Sequence, residues 1–179
     1  KDGLEYTTLN LVHGEITPMR YGGNYKSYGP QYPRGIQEGN GVPADGDLWV
    51  SYSVNKEDMW ISRIPVPVEI NASAHADDDF SKFGSIAELT NWNIYSPVWA
   101  PVSLEGEWLK LQDKDPFDYA KVERKIPASK ELKVSFDLLA EQNDKGRLQI
   151  DFLDGNSIAC SRLELTPDGI FRMKGGSRF

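Results

Sequence analysis

Residues Gly46 to Val68 read GDLWVSYSVNKEDMWISRIPVPV, and apolar and polar side chains alternate through them with a period of two. Leu48, Val50, Tyr52 and Val54 fall on one face of the first run, and Met59, Ile61 and then Arg63 repeat the spacing in the second. A strand turns successive side chains to opposite faces, whereas a helix repeats every 3.6 residues, so this pattern demands half-buried strands. The polar stretch Asn55-Lys56-Glu57-Asp58 between the runs has the length of a hairpin turn. Pro65 and Pro67 then end the ladder, because proline has no N–H to donate. The expectation is a hairpin of Asp47–Val54 and Met59–Ile64.

The same texture returns further along. In Glu131–Leu139, Val134, Phe136 and Leu138 alternate with Lys133, Ser135 and Asp137. In Gly146–Leu153, Leu148, Ile150 and Phe152 alternate with Arg147, Gln149 and Asp151. Asp154-Gly155-Asn156 and Pro167-Asp168-Gly169 are turn sequences, and they delimit runs at Ser157–Leu165 and Ile170–Lys174. Shorter apolar-rich runs occur at Trp92–Trp99, Trp108–Gln112 and Tyr119–Ile126. A first strand is expected within Lys1–Val12 and a short one around Arg34–Gln37. Only Ser81–Leu89 has room for a short helix. Short strands punctuated by turns every eight to twelve or so residues predict an all-β chain with a sandwich or jelly roll in its second half. The divisions read as 1–70, a small-residue and acidic linker at 71–90 (containing NASAHADDDFSKFGS), and 91–179.

Charge narrows the partners. The 179 residues carry a formal net charge of −7, which disfavours nucleic acid and anionic membrane surfaces as ligands. No apolar run approaches the roughly 18 residues that a spanning helix requires. The single cysteine, Cys160, excludes an intrachain disulfide, and its place in an alternating run predicts a buried or inert thiol.

Three phrases, LVHGEITPMRY, GPQYPRGIQEGNG and GDLWVSYSVNKEDMWISRIPVPV, resemble the last blade of secreted sialidase-like (BNR-repeat) β-propeller proteins of polysaccharide-degrading bacteria. WNIYSPVWAPVSL, LQDKDPFDYAKVERKIP and LKVSFDLLAEQNDKGRLQIDFLDG resemble the concanavalin/laminin-G-like sandwich that follows such propellers. The resemblance implies a polysaccharide or oligosaccharide ligand, a secreted or periplasmic location, and cleavage of glycosidic bonds by hydrolysis or elimination. A glycan-binding sandwich without catalysis and a purely structural accessory domain are the alternatives. A propeller needs about four to eight blades of roughly 40–50 residues. Residues 1–70 supply about one, and 91–179 supply an incomplete jelly roll. The expectation is a piece of a longer assembly whose other blades lie on the same parent protein or on a second chain.

Candidate chemistry concentrates in His13–Asn40, a stretch rich in Gly, Pro and Tyr without a clear period. Long aperiodic segments in compact domains are commonly functional loops. A histidine with a tyrosine can exchange protons, an arginine can grip a sugar carboxylate with two hydrogen bonds, and two carboxyls can flank a glycosidic bond. On those grounds His13, Tyr32, Arg34 and Glu38 are the catalytic candidates, and Glu15, Arg20 and Asn40 the substrate-binding ones. For each residue taken singly, loop packing is the more economical reading. No cofactor or catalytic metal is expected. Asp113, Asp115 and Asp118 have the oxygen chemistry of a structural calcium site, against which a plain polar turn is the simpler reading. Asp77-Asp78-Asp79 has the chemistry of a metal cluster and the turn Asn55–Asp58 that of a cation or partner contact, but solvated surface is the simpler reading of both. Trp92, Trp99 and Trp108 suit either core packing or stacking on sugar rings.

Overall fold

The computed structural model describes residues 10–36, 46–66, 68, 72–142 and 144–175. These residues are all-β, with two three-stranded and two two-stranded antiparallel sheets. The expected short helix is replaced by two single 3-10 turns, Phe80–Lys82 and Ile86–Glu88. The chain divides into two compact units, one spanning Leu11–Ile126 and the other taking in Asn10 and the residues from Pro127 onward.

In the first unit, β1 (Pro30–Ile36), β2 (Asp47–Val54) and β3 (Asp58–Pro65) form a meander in that order. The β2–β3 ladder is continuous from Asp47↔Pro65 to Val54↔Asp58, so the expected hairpin forms with its second strand starting one residue early. Tyr52 and Val54 are buried, as the alternation requires. The β1–β2 ladder carries a bulge. Gln31 faces Ser53 and Arg34 faces Ser51, leaving one extra residue in β1 where Tyr32 takes a φ of 55°.

The rest of this unit holds two ribbons. One pairs β4 (Trp92–Tyr95) with β7 (Lys121–Arg124), and the other pairs β5 (Val102–Glu105) with β6 (Trp108–Leu111) through a turn at Gly106. Residues 14–16 run parallel to the end of β4: the Ser96 N–H donates to the Gly14 carbonyl at 2.9 Å and the Ile16 N–H to Ser96 at 3.1 Å. A Cβ on Gly14 would stand 1.9 Å from the Ile94 carbonyl oxygen, so only glycine permits this approach. The acids at 77–79 are more engaged than the sequence suggested. Asp78 pairs with Arg124 at 2.9 Å, and Asp79 caps the first 3-10 turn by accepting the Ser81 N–H at 3.1 Å.

The second unit contains β8 (Leu148–Leu153), β9 (Ala159–Leu165) and β10 (Phe171–Gly175), with β9 central. Its register places Leu148, Ile150, Phe152, Leu163, Leu165, Phe171 and Met173 on one face, and Gln149, Asp151, Arg162, Glu164, Arg172 and Lys174 on the other. Two expectations are corrected here. Cys160 is exposed, because the ladder steps from Phe152↔Ser161 to Leu153↔Ala159 and leaves Cys160 as the extra residue of a bulge. Residues 131–140 alternate in sequence but form no strand, and all are exposed. Alternation states which face a strand would bury. It does not supply the neighbouring backbone that a strand must bond to.

Candidate functional site

The seven candidate residues separate into different surroundings. His13 is half-buried against the β2–β3 sheet. Its ring centroid lies 5.4 Å from that of Tyr52 and 5.3 Å from that of Trp60, and Nδ1 is 3.3 Å from the Tyr52 hydroxyl. That hydroxyl also meets Ser62 Oγ at 2.8 Å. Tyr52 and Trp60 are cross-strand partners, and Ser62 lies two residues beyond Trp60, so His13 packs on one sheet face. Glu15 is exposed. It lines a cleft of about 220 Å³ bounded by Ile16–Pro18, Ile86, Ser96–Val98, Pro101 and Val102, which none of the other four described candidates lines. Arg34 is exposed in β1, where its carbonyl accepts from Ser51 Oγ at 3.4 Å. Glu38 and Asn40 lie outside the described residues.

Arg20 and Tyr32 converge on the turn between β2 and β3. Asn55 and Lys56 there have φ values of 56° and 55°, the left-handed pair that suits a strongly twisted hairpin. Asn55 is 1% exposed. Its Oδ1 accepts the Gly29 N–H at 2.8 Å, and its Nδ2 donates to the Thr17 carbonyl at 2.9 Å. The Asn55 N–H donates in turn to the Gly29 carbonyl at 3.0 Å. One buried amide thus joins both ends of the loop from Thr17 to Gly29.

Glu57 fastens the middle of that loop. Its side chain is 3% exposed and accepts the N–H groups of Arg20 and Tyr21 at 3.0 and 2.9 Å and the Lys26 ammonium at 3.0 Å. The Arg20 amide, followed by those of Tyr21 and the Lys26 and Arg20 side chains, holds the carboxyl down at about 2 against the opposing effect of burial. The Arg20 guanidinium also reaches Asp58 at 2.6 Å.

Above this anchor the turn presents aromatic rings and a cation. Tyr25 is 91% exposed and Tyr32 is 63% exposed. The Lys56 ammonium lies 5.6 Å from the Tyr32 ring centroid and donates to the Tyr25 carbonyl. Tyr25, Tyr32 and Lys56 all have positive φ, a conformation that costs a non-glycine residue about 1–3 kcal/mol and concentrates at functional positions. The simpler expectation for Asn55–Asp58, a solvated turn, does not hold for the buried Asn55. The legible signal was asparagine followed by a lysine and two acids directly after a buried strand end, opposite a tyrosine-rich loop.

The acids at 113–118 serve their own backbone. Asp113 accepts from the Asp115 N–H and Asp115 from the Phe117 N–H, each at 2.9 Å. Asp118 accepts the Tyr95 hydroxyl at 2.9 Å, and burial followed by this hydrogen bond pushes the Tyr95 phenol up to about 12. Among the described residues, no group of three or more His, Cys, Asp or Glu side chains is placed to hold a metal ion. No helix among them is long and apolar enough to cross a membrane. Of the tryptophans, Trp99 is 58% exposed, while Trp92 is half-buried beside Phe80 with ring centroids 5.8 Å apart.

The family described as "Sialidase-like, CBM domain" matches residues 92–179, just under half of the chain. A solved structure titled "Sialidase" is similar to the whole sequence, at 97% identity over 99% of this chain with a TM-score of 0.67. The chain spans 16% of the length of that sialidase. No curated protein matches.

Proposed function

We propose that this chain is the carbohydrate-recognising part of a longer, exported glycan-cleaving protein. The observation that carries the reading is the match of residues 92–179 to a sialidase-like carbohydrate-binding domain. In this reading the β1–β3 sheet is the terminal blade of a propeller, and the later strands belong to a concanavalin-like jelly roll. The parent protein is secreted or periplasmic, and its other blades complete the architecture.

Among the described residues, the geometry favours recognition over chemistry. Bond cleavage by acid–base catalysis requires a donor and an acceptor within reach of one bond. Here His13 is engaged with Tyr52, Glu15 lines a separate cleft, and Arg20 is held by Glu57 and Asp58. Hydrolysis or elimination is therefore assigned to the parent, and sugar binding to this chain. Affinity electrophoresis of the chain through gels containing acidic and neutral polysaccharides tests the assignment. Retardation in at least one gel, with no release of reducing ends after long incubation, is the expected result. Mobility unaffected by every polysaccharide would overturn it.

A further inference from the structure

We infer that the β2–β3 turn carries a second sugar contact, outside the matched domain, selective for saccharides that bear a carboxylate. The contact is made by Lys56, Tyr32 and Tyr25. This inference rests on the glycan-binding reading and adds a place and a chemical class to it.

Three observations converge. The first is composition. Phenol rings offer flat apolar faces to the C–H side of a sugar, and the turn exposes two of them around one ammonium. The second is charge. Lys56 pairs with no carboxylate among the described residues, since its contacts are a backbone carbonyl and a ring. Arg20 and Lys26 add two further cations, against the carboxylates of Glu57 and Asp58. The spot is thus net positive on a chain of formal charge −7, which selects a carboxylated sugar over a neutral one. The third is preorganisation. The left-handed backbone at Tyr25, Tyr32 and Lys56 is maintained by the buried Asn55 and Glu57 beneath, and the β1 bulge turns Tyr32 outward. A platform held this way loses little conformational freedom when a ligand docks. The sugar carboxylate takes the Lys56 ammonium, and the apolar side of the ring lies against Tyr32 or Tyr25.

The test titrates the intact chain with trigalacturonate, sialyllactose and lactose, while the tyrosine ring resonances are followed by NMR. The account expects one or both acidic probes to shift the Tyr25 and Tyr32 resonances, with lactose weaker by about tenfold or more, the range of one charge-assisted hydrogen bond. Which acidic probe acts separates a uronate ligand from a sialate one. Lys56→Gln is expected to lose that preference and to flatten the salt dependence of binding. The ring shifts are read in the unmodified chain, so a variant that fails to fold does not remove the test. Binding that shifts no resonance of either tyrosine and survives Lys56→Gln, but is lost in Trp99→Ala, would overturn this inference and leave the carbohydrate-recognition reading standing. Silence toward all three probes, together with unretarded electrophoresis on every polysaccharide, would overturn both.

Discussion

The two three-stranded sheets bury their carboxylates in opposite ways. Around β1–β3, Glu57 sits in a turn and accepts backbone N–H groups of a loop more than thirty residues away in sequence. Around β8–β10, Glu164 is 3% exposed at the centre of a strand face and, among the described residues, meets side chains alone: Arg147 at 3.1 Å, Lys174 at 3.3 Å and Gln149 at 3.5 Å. Burial alone would raise the Glu164 carboxyl, but Lys174, Gln149 and Arg147 outweigh it and hold it below the usual carboxylate range. A carboxylate that binds backbone fixes the path of a loop. One that binds long flexible cations stitches strands already paired by their ladder. The first arrangement builds a presenting surface and the second reinforces a sheet.

The sharpest way to break the contrast is Asn55→Ala. It leaves the Gly29 N–H and the Thr17 carbonyl without their partner, and it puts alanine at a φ of 56°. The expected loss is about 3 kcal/mol, read as a lower urea midpoint with an unchanged slope. The next effect is a pH dependence. Glu57 titrates near 2 when folded, below the ordinary 4.5, so the folded state favours its charged form. Its contribution is complete above the unfolded value and disappears as pH falls through the window from about 4.5 to 2. Glu57→Gln should lower the neutral-pH melting temperature and flatten the acid limb between those values; an acid limb identical to that of the unmodified chain would refute the anchoring role.

A smaller change is expected from Arg162→Met in the second sheet, although that guanidinium makes two contacts with Asp151 at 2.5 and 2.7 Å. Both side chains remain about a quarter exposed, so water screens the pair. The melting temperature should fall less than for Asn55→Ala, and the difference should shrink in high salt. The smallest effect is assigned to Phe136→Ser. Phe136 is 46% exposed in a segment that forms no strand, so stability should change by about 0.5 kcal/mol or less.

Period-two patterning made the strands legible where a neighbour in the same chain could bond to them. The hairpin at 47–65 and the strands at 148–153 and 159–165 follow from alternation and turn residues. Residues 131–140 alternate as clearly as any of these, yet the same signal carries no information about a partner strand. Cys160 was misread for a related reason: a one-residue bulge reverses which side a residue faces, and no turn residue marks it. The candidate site was legible only in part. Arg20 and Tyr32 were selected by residue type, but the turn that gathers them was not, because Asn55 and Glu57 act through backbone groups of a distant loop that leave no spacing pattern in the sequence.

The most direct test of the account is binding measured beside cleavage on one sample of the chain, with an acidic oligosaccharide as the probe. Calorimetry should show saturable binding that weakens as salt rises, while chromatography of the same mixture recovers the oligosaccharide intact. Cleaved product at a catalytic rate would contradict the claim that this chain recognises sugar without cutting it, and so would a complete absence of binding heat with the fold intact.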